Sequence, residues 1–144
     1  MSSRASILLI DDSPGECELF RQALAQAGCD TVVYAERDWD AALHFLLDHQ
    51  GALPSLILLD WHLSNGKGSA FLKPLRSNSR FITIPVVVFT TSDDASDFFT
   101  ACTYGANGYV VKPGTFDELV RFVTDLYRYW LTWNRTASLV ETGS

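Results

Sequence analysis

Short apolar blocks alternate with amphipathic stretches along the chain. Ser6–Ile10, Leu56–Leu59, Val86–Phe89 and Tyr109–Val111 are almost without polar members. Runs this short, with no period-two alternation, predict strands buried on both faces. Thr31–Ala35 predicts a fifth, more polar strand. Between the strands the pattern changes to a helical period. Ser13-Pro14-Gly15-Glu16 is a capping box with proline at the first helical position, followed by Phe20, Leu24 and Ala27 on one face and a stop at Gly28. Asp38 opens a second helix that carries Ala42, Phe45, Leu46 and His49 on one side and ends by Gly51, and Pro54 precedes the third strand. A third helix over about 68–77 contains Pro74, which predicts a short or kinked segment. Pro85 opens the fourth strand, Ser92 is placed to cap a fourth helix with Asp93 and Asp94 at its positive end, and Gly105 and Gly108 bracket the turn into the fifth strand. Thr115-Phe116-Asp117-Glu118 is a second capping box, opening the fifth helix. Strands alternating with helices predict an α/β fold, a doubly wound five-stranded parallel sheet with helices on both faces.

The strand ends carry the chemistry. The first strand stops at Asp11-Asp12, the third at Asp60, the fourth at Thr90-Thr91 and the fifth at Lys112-Pro113. In an open parallel sheet, function collects just outside the carboxyl ends of the strands. Three carboxylates, a hydroxyl and an ammonium are therefore expected on one edge. A carboxylate is able to attack phosphorus and carry an acyl phosphate, and Asp60 is the expected nucleophile. Asp11 and Asp12 join Asp60 in a hard-cation site suited to Mg2+, which prefers a few carboxylates with waters and phosphate oxygens. Without an ion the clustered carboxylates repel and raise one another's pKa. Lys112 supplies a point charge for phosphoryl oxygens and Thr90 a hydroxyl donor.

Composition narrows the class. With 144 residues, 47% of them hydrophobic and 19% charged, the chain is expected to form one globular domain over residues 5–134, with a polar tail over 135–144. A net charge of −6, with no basic run, argues against a nucleic-acid partner, and a DNA-binding output domain would need roughly 60 further residues. Cys17, Cys29 and Cys102 have no metal spacing and read as reduced thiols. No apolar segment approaches a membrane span, and a cytoplasmic protein is expected.

Taken together, Asp11-Asp12, Asp60, Thr90, Tyr109 and Lys112-Pro113 resemble the landmarks of the receiver domains of two-component response regulators. The resemblance covers essentially residues 5–130 and is sharpest in Gly105-Ala106-Asn107-Gly108-Tyr109-Val110-Val111-Lys112-Pro113. It implies strand order 2-1-3-4-5. It implies that Asp60 takes a phosphoryl group from a histidine kinase. Asp12, Asp60 and the backbone carbonyl of His62 then bind Mg2+ directly, with Asp11 helping through water. It further implies that Thr90 and Tyr109 form a switch pair and that the Lys112–Pro113 bond is cis. Such a protein is a signalling phosphoacceptor rather than an enzyme in the usual sense.

Several positions depart from that pattern. His62 stands where Asn or another polar residue is frequent, Ser64 replaces a common proline, and Gly114 replaces a common aromatic. Asn65-Gly66-Lys67-Gly68-Ser69 is not a phosphate loop, because Trp61 occupies the position of the first glycine. In the fifth helix, projected at 100° per residue, apolar and aromatic residues from Phe116 to Trp133 cover an arc of about 200°, wider than one core-facing stripe. Phe122, Tyr129 and Trp133 are therefore expected at a homodimer interface through this helix. Phe89-Thr90-Thr91-Ser92-Asp93-Asp94 and the terminal Tyr129-Trp130 resemble the small single-domain regulators that serve bacterial and cyanobacterial phytochrome kinases. Three rivals are weighed. A pseudo-receiver that is never phosphorylated is disfavoured by the intact acidic set. A flavodoxin-like cofactor binder is disfavoured by the acidic edge. A phosphoaspartyl hydrolase lacks its DxD pattern at Asp60-Trp61-His62.

Overall fold

Side chains alternate across a strand, so a run that is apolar at every position needs cover on both faces. The computed structural model, which describes residues 5–49, 51–63 and 66–135, provides that cover. Strands β1 (Ser6–Ile10), β2 (Val32–Glu36), β3 (Leu56–Leu59), β4 (Val86–Thr90) and β5 (Gly108–Val111) form one parallel sheet in the order β2-β1-β3-β4-β5. Leu8, Ile10, Ile57, Leu59, Val86 and Val88 point to one face, where α2 (Trp39–Asp48), α3 (Ser69–Ser77) and α4 (Ala95–Thr103) bury Trp39, Leu46, Phe71, Leu75 and Ala101. Ile7, Leu9, Leu56, Leu58, Val87 and Phe89 point to the other, where α1 (Pro14–Gln26) and α5 (Phe116–Arg128) bury Phe20, Leu24, Val123 and Leu126. The doubly wound order expected from sequence is the one observed. Among the described residues, no helix is long and apolar enough to cross a membrane.

The helix starts follow local chemistry. Ser13 Oγ accepts from Glu16 N at 3.2 Å, Asp38 Oδ1 from Ala41 N at 2.7 Å and Thr115 Oγ1 from Glu118 N at 3.1 Å. The fourth start differs from expectation. Asp94, not Ser92, caps α4, accepting from Ser96 N at 2.7 Å and Asp97 N at 3.3 Å. A carboxylate is the stronger acceptor of the two, and the Ser92 hydroxyl is directed elsewhere. Helix α3 runs continuously through Pro74. Proline costs about 3 kcal/mol inside a helix, whereas burying Phe71, Leu72 and Leu75 contributes about 1.5–3 kcal/mol each. Gly68 precedes α3 because a Cβ there would meet Trp61 Cε3 at 2.5 Å and Leu59 Cδ2 at 3.2 Å.

Two further features shape the ends of the molecule. Helix α5 gives way at Arg128 to a π-helical turn, Tyr129–Trp133, closed by Asn134 N donating to Tyr129 O at 2.6 Å. At the edge of the sheet remote from the strand ends, the Arg76 guanidinium donates to the carbonyls of Gly105, Ile82 and Ile84 and to Asn107 Oδ1. Ser64 and Asn65, and the tail from residue 136 onward, lie outside the described residues.

Candidate functional site

Strand register assembles the site. Ile10 pairs with Leu59, Leu59 with Val88, and Thr90 with Val111, so the residues that follow stand side by side. Asp60 N donates to Ile10 O at 3.0 Å and Lys112 N to Thr90 O at 2.8 Å, which fixes both strand ends. Asp11, Asp60, Thr90 and Lys112 thereby meet on one edge, as their sequence positions predict. Asp11 and Thr90 are buried, and Asp60 retains 9% exposure.

The Lys112 ammonium is the hub. Its Nζ lies 2.9 Å from Asp11 Oδ2, 2.9 Å from Glu16 Oε1 and 3.3 Å from Asp60 Oδ2. Burial pulls the ammonium pKa down, but hydrogen bonds to Asp11 and Glu16 and the nearby carboxylate charges outweigh it and hold the group above its ordinary value. Burial pushes the Asp60 carboxyl above the usual aspartate range, and Asp11 adds to the rise. Lys112 and a hydrogen bond from Thr90 pull the other way without cancelling it.

One oxygen each of Asp11, Asp12 and Asp60 lies within 4.8 Å of the others. Asp12 is exposed, and Asp11 is held by Ser13 N donating to its Oδ1 at 2.9 Å. The carboxylates of Asp11, Glu16 and Asp60 share a single ammonium and Asp12 lies beside Asp11 and Asp60, so the cluster carries excess negative charge. Hard oxygen donors, close spacing and uncompensated charge together fit a divalent cation such as Mg2+.

Behind Thr90 sits a second set of contacts. Ser92 N donates to Thr90 Oγ1 at 3.3 Å, and the half-buried Tyr109 donates its hydroxyl to Ser92 O at 2.9 Å. The Tyr109 ring meets the edge of Phe98 at 5.5 Å between centroids. Cys17 is buried with its thiol 3.9 Å from Asp11 O, and burial pushes its pKa up, as suits a packing residue.

One expectation needs correction. The Lys112–Pro113 bond is trans, since no peptide bond among the described residues is cis. Trans is the intrinsic preference of such bonds by about 0.5–1 kcal/mol. Of the three aromatics expected at an interface, Phe122 is half-buried and stacks on Phe89 with centroids 5.0 Å apart and planes 5° apart. Tyr129 and Trp133 are exposed, at 56% and 79%.

Sequence reasoning missed two residues of the site. Glu16 reads as the reciprocal half of a capping box. Instead the Ser13 amide is taken by Asp11, and the Glu16 carboxylate turns to Lys112. Asp97 reads as a first-turn acid of α4, yet its carboxylate is buried beside His62, Ser92 and Lys67. Its partners come from separate segments, and no spacing signals that.

An acidic edge with a buried ammonium and hydroxyl, at the carboxyl ends of a 2-1-3-4-5 sheet, defines the receiver class. Residues 7–124 match the response regulator receiver domain, and the chain belongs to that family. Over 133 residues it is 36% identical to the probable methanogenesis regulatory protein FilR2 of Methanothrix harundinacea, covering 90% of this chain and 86% of that one. Over 130 residues it is 32% identical to the response regulator Rcp1 of Synechocystis, covering 87% and 88%. The fold is also similar to that of the phosphorylated cyanobacterial phytochrome response regulator RcpA, with a TM-score of 0.84 at 28% identity over 93% of this chain and 99% of that chain. The Mn(2+)-bound form of Rcp1 gives a TM-score of 0.80 at 29% identity, over 92% and 98%.

Proposed function

We propose that this receiver is a cytoplasmic phosphoacceptor that works as a single-domain response regulator, loaded on Asp60 by a sensor histidine kinase in a Mg2+-dependent reaction. The observation that carries this reading is the sharing of one buried ammonium between Asp60 and its acidic neighbours. An Asp60 carboxylate oxygen attacks phosphorus. The bond from phosphorus to the kinase imidazole nitrogen breaks, and that nitrogen keeps the electron pair. Charge gathers on the equatorial phosphoryl oxygens in the transition state. Lys112, already within 3.3 Å of Asp60, is placed to meet it, and the Thr90 hydroxyl supplies a further donor. A divalent ion held by Asp11, Asp12, Asp60 and the His62 carbonyl would neutralise the charge of both carboxylates and phosphoryl oxygens.

Loading adds strong acceptors beside Thr90. A Thr90 hydroxyl turned to them leaves the Ser92 amide, and Tyr109, tied to the Ser92 carbonyl, feels the change. The surface of α4, β5 and α5 is then the one a partner reads. Similarity to the cyanobacterial phytochrome response regulator RcpA supports a phytochrome-linked kinase as the phosphoryl source. A homodimer through the exposed Tyr129 and Trp133 completes the reading.

Intact-mass analysis after incubation with acetyl phosphate tests it. The expected result is a gain of one phosphoryl group that requires Mg2+ and is lost in Asp60→Asn. No gain in wild type, from either acetyl phosphate or a phosphorylated kinase, would establish a pseudo-receiver instead.

A further inference from the structure

Helix α4 faces solvent with Phe98 and Phe99, which are 42% and 67% exposed, yet between them and the helix cap the side chain of Asp97 is only 6% exposed. A carboxylate leaves water at a cost unless its oxygens are satisfied. Those of Asp97 are: Oδ2 lies 2.6 Å from His62 Nε2 and accepts from Ser92 Oγ at 2.6 Å, and Oδ1 lies 3.5 Å from Lys67 Nζ. Capping does not explain this, because Asp94 already caps the helix. The partners instead have a common address. His62 is two residues beyond Asp60, and Ser92 is two residues beyond Thr90. Ser92 additionally bonds Thr90 through its amide and Tyr109 through its carbonyl.

We propose that Asp97 is a positioning residue for the phosphoacceptor site: its carboxylate clasps His62 and Ser92 and so ties both loops that flank Asp60 to the first turn of α4. The clasp gives the state of Asp60 a path to α4 that does not run through Tyr109. Only this use of the clasp rests on the phosphoacceptor reading; the clasp itself is a property of the unloaded protein.

Amide hydrogen exchange on the full chain separates the two. Wild type, Asp97→Ala, Asp97→Asn, His62→Ala and the double variant His62→Ala/Asp97→Ala are compared, with circular dichroism as a check of folding. In the unloaded protein, amides of residues 95–98 exchange about tenfold faster in Asp97→Ala and in His62→Ala, the size expected when hydrogen bonds to a charged group are lost. The double variant exchanges no faster than Asp97→Ala, because both changes open the same clasp. Asp97→Asn, whose amide oxygen still accepts, recovers part of the protection. If Asp97→Ala fails to fold, Asp97→Asn and His62→Ala carry the comparison. Unchanged exchange in His62→Ala, or single effects that multiply in the double variant, overturns the proposal. A second arm adds Mg2+ and beryllofluoride, a phosphoryl mimic. Wild type then alters exchange across 95–98, and Asp97→Ala binds the mimic but loses that response. A response equal to wild type overturns the path to α4. A wild type that binds no beryllofluoride overturns the phosphoacceptor reading and leaves the first arm to judge the clasp.

Discussion

Asp60 and Asp97 are both withdrawn from water, and their carboxyl groups shift in opposite directions. Burial and Asp11 raise Asp60, while for Asp97 the rise from burial is outweighed by hydrogen bonds from Ser92 and His62 and by the charge of Lys67. The consequences for stability have opposite signs. Below the ordinary aspartate pKa of about 3.9 Asp60 is protonated folded or unfolded and carries no penalty; as pH rises through its raised folded value, the folded protein loses stability. Asp60→Asn is therefore expected to be more stable than wild type at neutral pH in chelator, with the gap closing below about pH 4 and on adding Mg2+. Urea denaturation at the two pH values reads this directly. Asp97 contributes stability above the ordinary range and loses it as pH falls through its depressed value. Lys112 is the other decisive residue. Lys112→Ala leaves buried Asp11 and Asp60 without their cation and is expected to cost about 3–5 kcal/mol in chelator, with part recovered by Mg2+. Asp11, Asp60, Thr90 and Lys112 were legible because each ends a strand. Glu16 and Asp97 were not, because a helix-start carboxylate looks the same in sequence whether it caps its own helix or reaches across to another segment.

At the scale of elements, what could be read was whatever is decided locally. Blocks of Leu, Ile and Val announce strands covered on both faces, and Asp38 and Thr115 announce helix starts. The start of α4 was misplaced because Ser92 and Asp94 are both competent caps: Asp94 takes the amides of Ser96 and Asp97, while the Ser92 hydroxyl donates to Asp97 and accepts from the Asp94 amide. Pro74 sits inside α3, which at nine residues is short, as the local cost predicts, and tertiary burial carries the helix through it. In the terminal segment, a projection at 100° per residue ceases to apply once bonding shifts to i→i+5 beyond Arg128. Gly68 yields an element-level prediction. It lets the start of α3 press on the fully buried Trp61 ring, immediately after Asp60. Gly68→Ala is expected to cost about 1–3 kcal/mol by overpacking, read as a lower denaturation midpoint with an unchanged slope. An unchanged midpoint would mean that the ring moves freely.

For the molecule as a whole, chemistry gathers at one edge of the sheet while the Arg76 bonds tie the opposite edge together. This division follows from the parallel winding, which sends every strand's carboxyl end the same way. Assembly belongs to this scale too. With Tyr129 and Trp133 exposed, light scattering across a dilution series is expected to show a dimer dissociating to monomer, and Trp133→Ser is expected to be monomeric where wild type is dimeric. A wild type that stays monomeric at high concentration removes the interface. The aromatic stack beneath the site has one more implication. The Lys112 ammonium rides 5.7 Å above the Phe89 ring, and Phe89 in turn lies flat on Phe122 of α5. The inner wall of α5 is thus the floor under the ammonium beside Asp60. Linkage is reciprocal: a protein that grips α5 more firmly after loading must, by the same factor, make loading easier, so an abundant listener would tune the ear of its own receiver.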